Sequence, residues 1–191
     1  MTGPADARAY IRTVGITPDA GGSADLADQI AALQPRLFRF GLTLTRDQED
    51  AADLAQETVA RALAASWRFT PGTNLPAWVF RIMRNLHLNR VRDGRAGPKV
   101  ESLDSVREVA FAETIDLSSV EKAAIERASL AAVREAFAKL PAKYALPIHL
   151  VTVEGLSYAE TAGVLDVPIG TVMSRIYRGR RLLLAALGGL A

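Results

Sequence analysis

The chain contains no cysteine, which excludes disulfides, thiolate metal sites and a cysteine nucleophile. Histidine occurs only at His87 and His149. The two lie far apart, neither has a carboxylate at metal-ligand spacing, and each reads as a helix-surface or core residue. No apolar run approaches the roughly 20 residues needed to span a bilayer. The opening MTGPADARAYIRTVG lacks the apolar centre of a secretory signal, so a cytoplasmic protein without membrane insertion is expected. Nor is there a glycine-rich phosphate loop, a serine elbow or a pocketed pair of carboxylates. The expectation is a protein that is not an enzyme, with no catalytic residue, metal or cofactor.

Aromatic residues are also scarce, at 6% of 191 residues. In their place stand alanine, leucine and arginine, which lose little freedom in a helix, and this predicts an all-α fold. Hydrophobic residues at 49% and charged residues at 23% are ordinary for a globular protein, and a net charge of +2 is compatible with a nucleic-acid partner without requiring one. Pro4, Gly15, Pro18, Gly21 and Gly22 mark residues 1–24 as a mobile leader. A helical block follows over 25–94, closed by the breaker GRAGPK at Gly94–Lys99. Residues 95–124, with Asp104, Glu108, Glu113 and Asp116, read as an acidic tether, and residues 125–191 as a second helical block. The predicted architecture is two small helical bundles joined by a flexible linker.

The second block carries the clearest local signal. Ser157 and Glu160 form a capping box, in which each side chain satisfies a backbone amide at a helix start. A short helix from Tyr158 to Asp166, a turn at Val167–Gly170 and a longer helix from Thr171 then give a helix-turn-helix. On the longer helix Val172, Ile176, Gly179 and Leu183 share an inward side. Thr171, Ser174, Arg175, Arg178 and Arg181 share another, which offers hydroxyls and guanidiniums suited to the major groove, while Arg180 off that stripe suits a phosphate. Leu130, Val133, Phe137 and Leu140, then Ala145–Val153, supply apolar support behind the motif.

In the first block one helix places Asp50, Asp53, Gln56, Glu57 and Arg61 on one face and Ala51, Ala55, Thr58, Val59 and Ala62 on the other. Such an acidic face is either a solvated helix surface or a dock for a basic protein partner. After a loop containing Thr73 and Asn74, a helix from Ala77 to Arg92 carries Trp78, Ile82 and Leu86 as its buried stripe, with Arg81, Arg84, Asn85 and Arg92 on another face. Arginine, asparagine and a polar loop together suit unpaired bases, which need edge hydrogen bonds and a cationic track.

Three segments, DAADLAQET at Asp50–Thr58, FTPGTNLPAWVFRIMRN at Phe69–Asn85 and LSYAETAGVLDVPIGTVMSRIYRGRRLL at Leu156–Leu183, occur in an order and spacing that resemble bacterial sigma factors of the extracytoplasmic-function (ECF) type. The resemblance implies a sigma-2 and a sigma-4 domain and partners in core RNA polymerase (its β′ clamp helices and β subunit), promoter DNA and an anti-sigma factor. It further implies that Asp50, Asp53, Gln56 and Glu57 dock on the β′ clamp helices. Thr73, Asn74, Arg81, Arg84 and Asn85 would open the minus-ten element and capture a base, and Thr171, Ser174, Arg175, Arg178 and Arg181 would read the minus-thirty-five element. Met173 stands where many members carry lysine. The competing readings are a helix-turn-helix regulator that works without polymerase and a mimic that only sequesters an anti-sigma factor. The first leaves the acidic face unexplained, and the second has no need of the arginine stripe.

Overall fold

Residues 23–94 and 130–187 are described by the structure, a computed structural model. The expected linker and almost all of the expected leader lie outside the described residues. All regular structure within them is helical. The first unit consists of α1 (Ser23–Ala32), α2 (Gln34–Thr45), α3 (Gln48–Ala64), a 3-10 turn (Ser66–Arg68) and α4 (Leu75–Arg92). The second consists of α5 (Leu130–Lys139), α6 (Ala142–Ile148), a π-helical turn (His149–Val153), α7 (Tyr158–Leu165) and α8 (Ile169–Ala186).

Local chemistry sets the helix ends. Arg46 leaves α2 in the left-handed region at φ 59°, and Asp47 then caps α3 by accepting from the amides of Glu49 and Asp50. Asn74 caps α4 through Ala77, with Pro76 in the first turn, where a missing amide does no harm. This helix therefore starts at Leu75 rather than Ala77. Likewise α8 starts at Ile169 rather than Thr171, because Pro168 is the extended cap residue and Ile169–Gly170 already belong to the first turn.

The first unit buries Ile30, Leu37, Phe40, Leu54, Val79, Phe80 and Met83 completely, and Phe40 meets Phe80 edge-on at 5.1 Å. The buried stripe of α4 is Leu75, Val79, Phe80, Met83 and His87. The expected stripe of Trp78, Ile82 and Leu86 is instead half-buried at the margin of this core. A Cβ at Gly41 would lie 2.9 Å from the Met83 Cε and 3.1 Å from the Ala51 carbonyl oxygen, so only glycine lets α2, α3 and α4 close this tightly. In the second unit Leu140, Ala145, Ile148, Val172 and Ile176 form a smaller cluster. There Gly179 brings α8 onto α6, since a Cβ would stand 2.7 Å from the Ile148 Cδ1.

The two units do not stand apart. Leu146, Leu150, Leu156, Val164 and Leu165 of the second join Phe40, Phe80 and Met83 of the first in one continuous apolar cluster. Helix α7 lies along α4, and α6 along α2. Closure of this seam removes apolar surface from water and so favours the packed arrangement over a splayed one.

Candidate nucleic-acid and protein interfaces

The acidic face of α3 is built as its sequence predicts. Asp53 and Gln56 are exposed, and Asp50 is half-buried. Glu57 differs, because it accepts from the Arg90 Nη2 at 2.7 Å and Nε at 3.2 Å and lies 3.6 Å from Arg61. Its carboxylate is thus largely committed to holding α4 against α3. Beneath this face sits His87, only 4% exposed, and neither ring nitrogen meets a hydrogen-bond partner among the described residues. Burial, reinforced by the neighbouring Arg90 charge and opposed by Asp50, lowers its pKa below the ordinary value.

The loop before α4 is held by itself and by the second unit. The Thr73 hydroxyl donates to the Thr70 carbonyl at 2.7 Å, and Gly72 takes φ +86°. Asn74 is doubly engaged: its Oδ1 accepts from the Ala77 amide at 3.1 Å, while its Nδ2 donates to the Glu160 Oε1 at 2.6 Å. Arg81 and Asn85 are exposed on α4, and Arg84 is half-buried. Trp67 projects from the 3-10 turn at 76% exposure with the Arg68 guanidinium 4.7 Å from its ring centre, whereas Phe69 packs on Trp78 at 5.5 Å.

In the second unit the expected capping box is present. Glu160 donates its amide to the Ser157 hydroxyl oxygen at 3.2 Å, and its Oε2 accepts from the Ser157 amide at 2.7 Å. Hydrogen bonds from the Ser157 hydroxyl and amide, then from Asn74, hold the Glu160 carboxyl below the usual range. Asp166 ends α7 in the left-handed region at φ 50°, and this makes the sharp turn into α8. Val172, Ile176 and Gly179 face inward and Leu183 is half-buried, in agreement with the predicted inward side. On the predicted nucleic-acid side Thr171, Ser174 and Arg178 are half-buried and Arg181 is exposed, but Arg175 is only 7% exposed.

A polar network absent from the sequence-based reading crosses the seam. Arg36 on α2 donates from Nε to the Glu154 Oε2 at 2.6 Å and from Nη2 to the Glu154 carbonyl at 3.1 Å. The His149 Nε2 lies 3.2 Å from the Glu154 Oε1, and its Nδ1 lies 3.3 Å from the Thr43 hydroxyl. Burial alone would raise the Glu154 pKa, but hydrogen bonds from His149 and Arg36 and the guanidinium charge outweigh it and hold the carboxyl below the usual range. Nearby, Arg46 donates to the carbonyls of Ala138 and Leu140, where the end of α5 leaves acceptors unfilled. Nothing in the local sequence around Arg36 or Glu154 signals a partner more than a hundred residues away.

Among the described residues no group of His, Asp and Glu could hold a metal ion, and no helix is long and apolar enough to cross a membrane. What the arrangement offers is an acidic helix face, a polar loop beside exposed Arg81 and Asn85, and a helix-turn-helix. Two known family models match the two units in turn. A family model for Sigma-70 region 2 matches residues 29–96, and one for Sigma-70, region 4, matches residues 130–183. The ECF RNA polymerase sigma factor EcfG of Rhodopseudomonas palustris (strain TIE-1) is 37% identical over 162 residues, which cover 85% of this chain and 84% of that relative. This chain belongs to the ECF RNA polymerase sigma factors. The sigma factor is also 35% identical over 148 residues to the ECF sigma factor SigE of Mycolicibacterium smegmatis, a match covering 78% of the sigma factor and 56% of that relative. Its fold resembles that of the sigma factor RpoE from Bartonella quintana, solved in complex with the anti-sigma factor NepR. The TM-score is 0.64 at 29% identity, with 86% of this sigma factor and 97% of that chain covered. As a member of this family it is a transcription initiation factor whose partners are core RNA polymerase and promoter DNA.

Proposed function

We propose that this sigma factor docks on the β′ clamp helices through Asp50, Asp53 and Gln56, with Glu57 shaping that face. Thr73, Asn74, Arg81, Arg84 and Asn85 then engage the minus-ten element, and Thr171, Ser174, Arg175, Arg178 and Arg181 engage the minus-thirty-five element. The observation that carries this reading is the placement of opposite chemistries on separate helices, acids on the outer face of α3 and hydroxyls with arginines on α8. The work is binding rather than bond chemistry. Contacts with polymerase and duplex offset the few kcal/mol, roughly, that base extrusion costs, and holding both units on one polymerase raises the effective concentration of each for its element.

In the closed arrangement Asn74 is held by Glu160, so its engagement of the minus-ten element requires the seam to open. An anti-sigma factor that favours the closed form would silence the protein, in a cytoplasmic stress response. The solved relative's complex with the anti-sigma factor NepR supports a partner of that kind.

Run-off transcription with purified core polymerase and a promoter library tests the proposal. Specific transcripts should appear above core alone, with a sharp decline as salt rises in proportion to the phosphates neutralised. A library that yields no sigma-dependent transcript overturns it.

A further inference from the structure

We infer that Met173 is a base-reading side chain, which selects thymine in the minus-thirty-five element by packing its thioether on the thymine C5-methyl, with Ile169 one turn earlier extending the apolar contact. The inference rests on α8 being the recognition helix, as proposed above.

Recognition helices meet base edges chiefly through their N-terminal residues. In the first two turns of α8 the most open large side chains are Ile169 at 48% and Met173 at 54% exposure. They are four residues apart and so share one side of the helix. Tyr177, one turn further on and half-buried, continues that side, and the Arg181 guanidinium lies 5.9 Å from its ring centre. The core side lies about a quarter-turn round the helix, with Val172 at 0% and Ile176 at 3% exposure.

The polar residues of the same two turns are less available. The Ser174 hydroxyl donates to the Thr171 carbonyl at 3.1 Å, a bond within its own helix. Arg175 is only 7% exposed. Beside the hydroxyls and arginines of α8, the first two turns thus add an open aliphatic and thioether contact at Ile169 and Met173.

That chemistry limits which bases it can favour. Guanine, adenine and cytosine present only hydrogen-bonding edges in the major groove, and a methionine set against them would desolvate groups it cannot satisfy. Thymine alone presents a methyl group, and the flexible, polarisable methionine can adapt to it. A lysine at this position would offer charged donors to a phosphate or to guanine, and no apolar contact for a methyl group.

The test uses holoenzyme and a minus-thirty-five box recovered by selection, in which each thymine is replaced in turn by deoxyuridine so that only the C5-methyl is lost. For the unaltered protein one such replacement should weaken promoter binding about three- to fivefold, the value of one buried methyl group. Met173→Ala should bind the normal box more weakly by a similar factor and lose its sensitivity to that replacement, while Met173→Leu, which keeps the apolar contact, should retain it. Three results overturn the inference: uracil tolerated at every position by the unaltered protein, an undiminished uracil penalty in Met173→Ala, or a selected box with no thymine on either strand. Failure of the unmodified promoter to direct any transcript is a separate outcome, and it overturns the parent reading too.

Discussion

Replacing Arg36 with methionine should open the seam between the two units without unfolding either. The Glu154 side chain that Arg36 holds is 0% exposed, while Arg36 itself is 32% exposed. Removing one partner of a fully buried pair costs about 3–5 kcal/mol. Here water reaches the guanidinium and already screens part of the attraction, so about 2 kcal/mol is the better figure. That corresponds to roughly a thirtyfold shift from closed to open. Because the protein has no cysteine, single cysteines introduced at exposed Ala64 and Ala185 can carry a donor and an acceptor dye. Arg36→Met should lower energy transfer in the free protein while leaving its helical circular dichroism unchanged. Arg36→Met combined with Glu154→Leu should recover part of the loss, since no buried carboxylate is then left alone. Unchanged transfer in the single variant would refute the reasoning.

Asp53→Arg on the exposed face of α3 should weaken association with core polymerase at least tenfold at low salt and leave the thermal midpoint within a degree or two, as checked by competition binding and melting. The lowered pKa of His87 means that the unfolded chain binds a proton more readily than the folded one. Its contribution is therefore complete above about pH 6.5, the unfolded value, and declines as pH falls below it. Denaturant titrations at pH 7.5 and 5.5 should show this loss, and His87→Leu should flatten it. The lowered Glu154 pKa acts in a separate window, because its stabilisation is present above the unfolded carboxyl value and disappears only as pH drops through the folded one. Gly179→Ala should destabilise by about 1–3 kcal/mol, because its methyl would overlap Ile148. Gly163→Ala, with nothing within 4 Å of the added Cβ on an exposed part of α7, should instead stabilise by about 0.5–1 kcal/mol. Calorimetry of the pair separates close packing from backbone entropy.

What could be read in advance was what neighbouring residues decide. The Ser157–Glu160 box, the acidic face of α3 and the inward side of α8 are patterns within one or two turns, and the structure reproduces them. Helix starts near proline were misplaced for a related reason. Asn74 reads as a loop residue, and its role as a cap emerges only from its bond to the Ala77 amide. Along α4 both the Trp78–Ile82–Leu86 and the Val79–Phe80–Met83 sides are apolar, so periodicity could not choose, and packing against Phe40 did. The seam was invisible. Arg36 and Glu154 are ordinary surface residues by every local criterion, and the apolar residues of α6 and α7 could have been covered within their own unit. Arg175, placed by periodicity on the outward stripe, is also found buried, on a helix that packs on α5, α6 and α7 of its own unit.

Glu160 has a structural duty on each side, since one oxygen starts α7 and the other grips Asn74. A change at Glu160 would therefore damage the helix-turn-helix and the grip together. Position 74 is different, because aspartate there could still cap α4 while setting a second anion against Glu160. The ease with which the molecule unclasps can thus be graded from the loop side, by exchanging a single amide for a carboxylate, with the helix-turn-helix left intact.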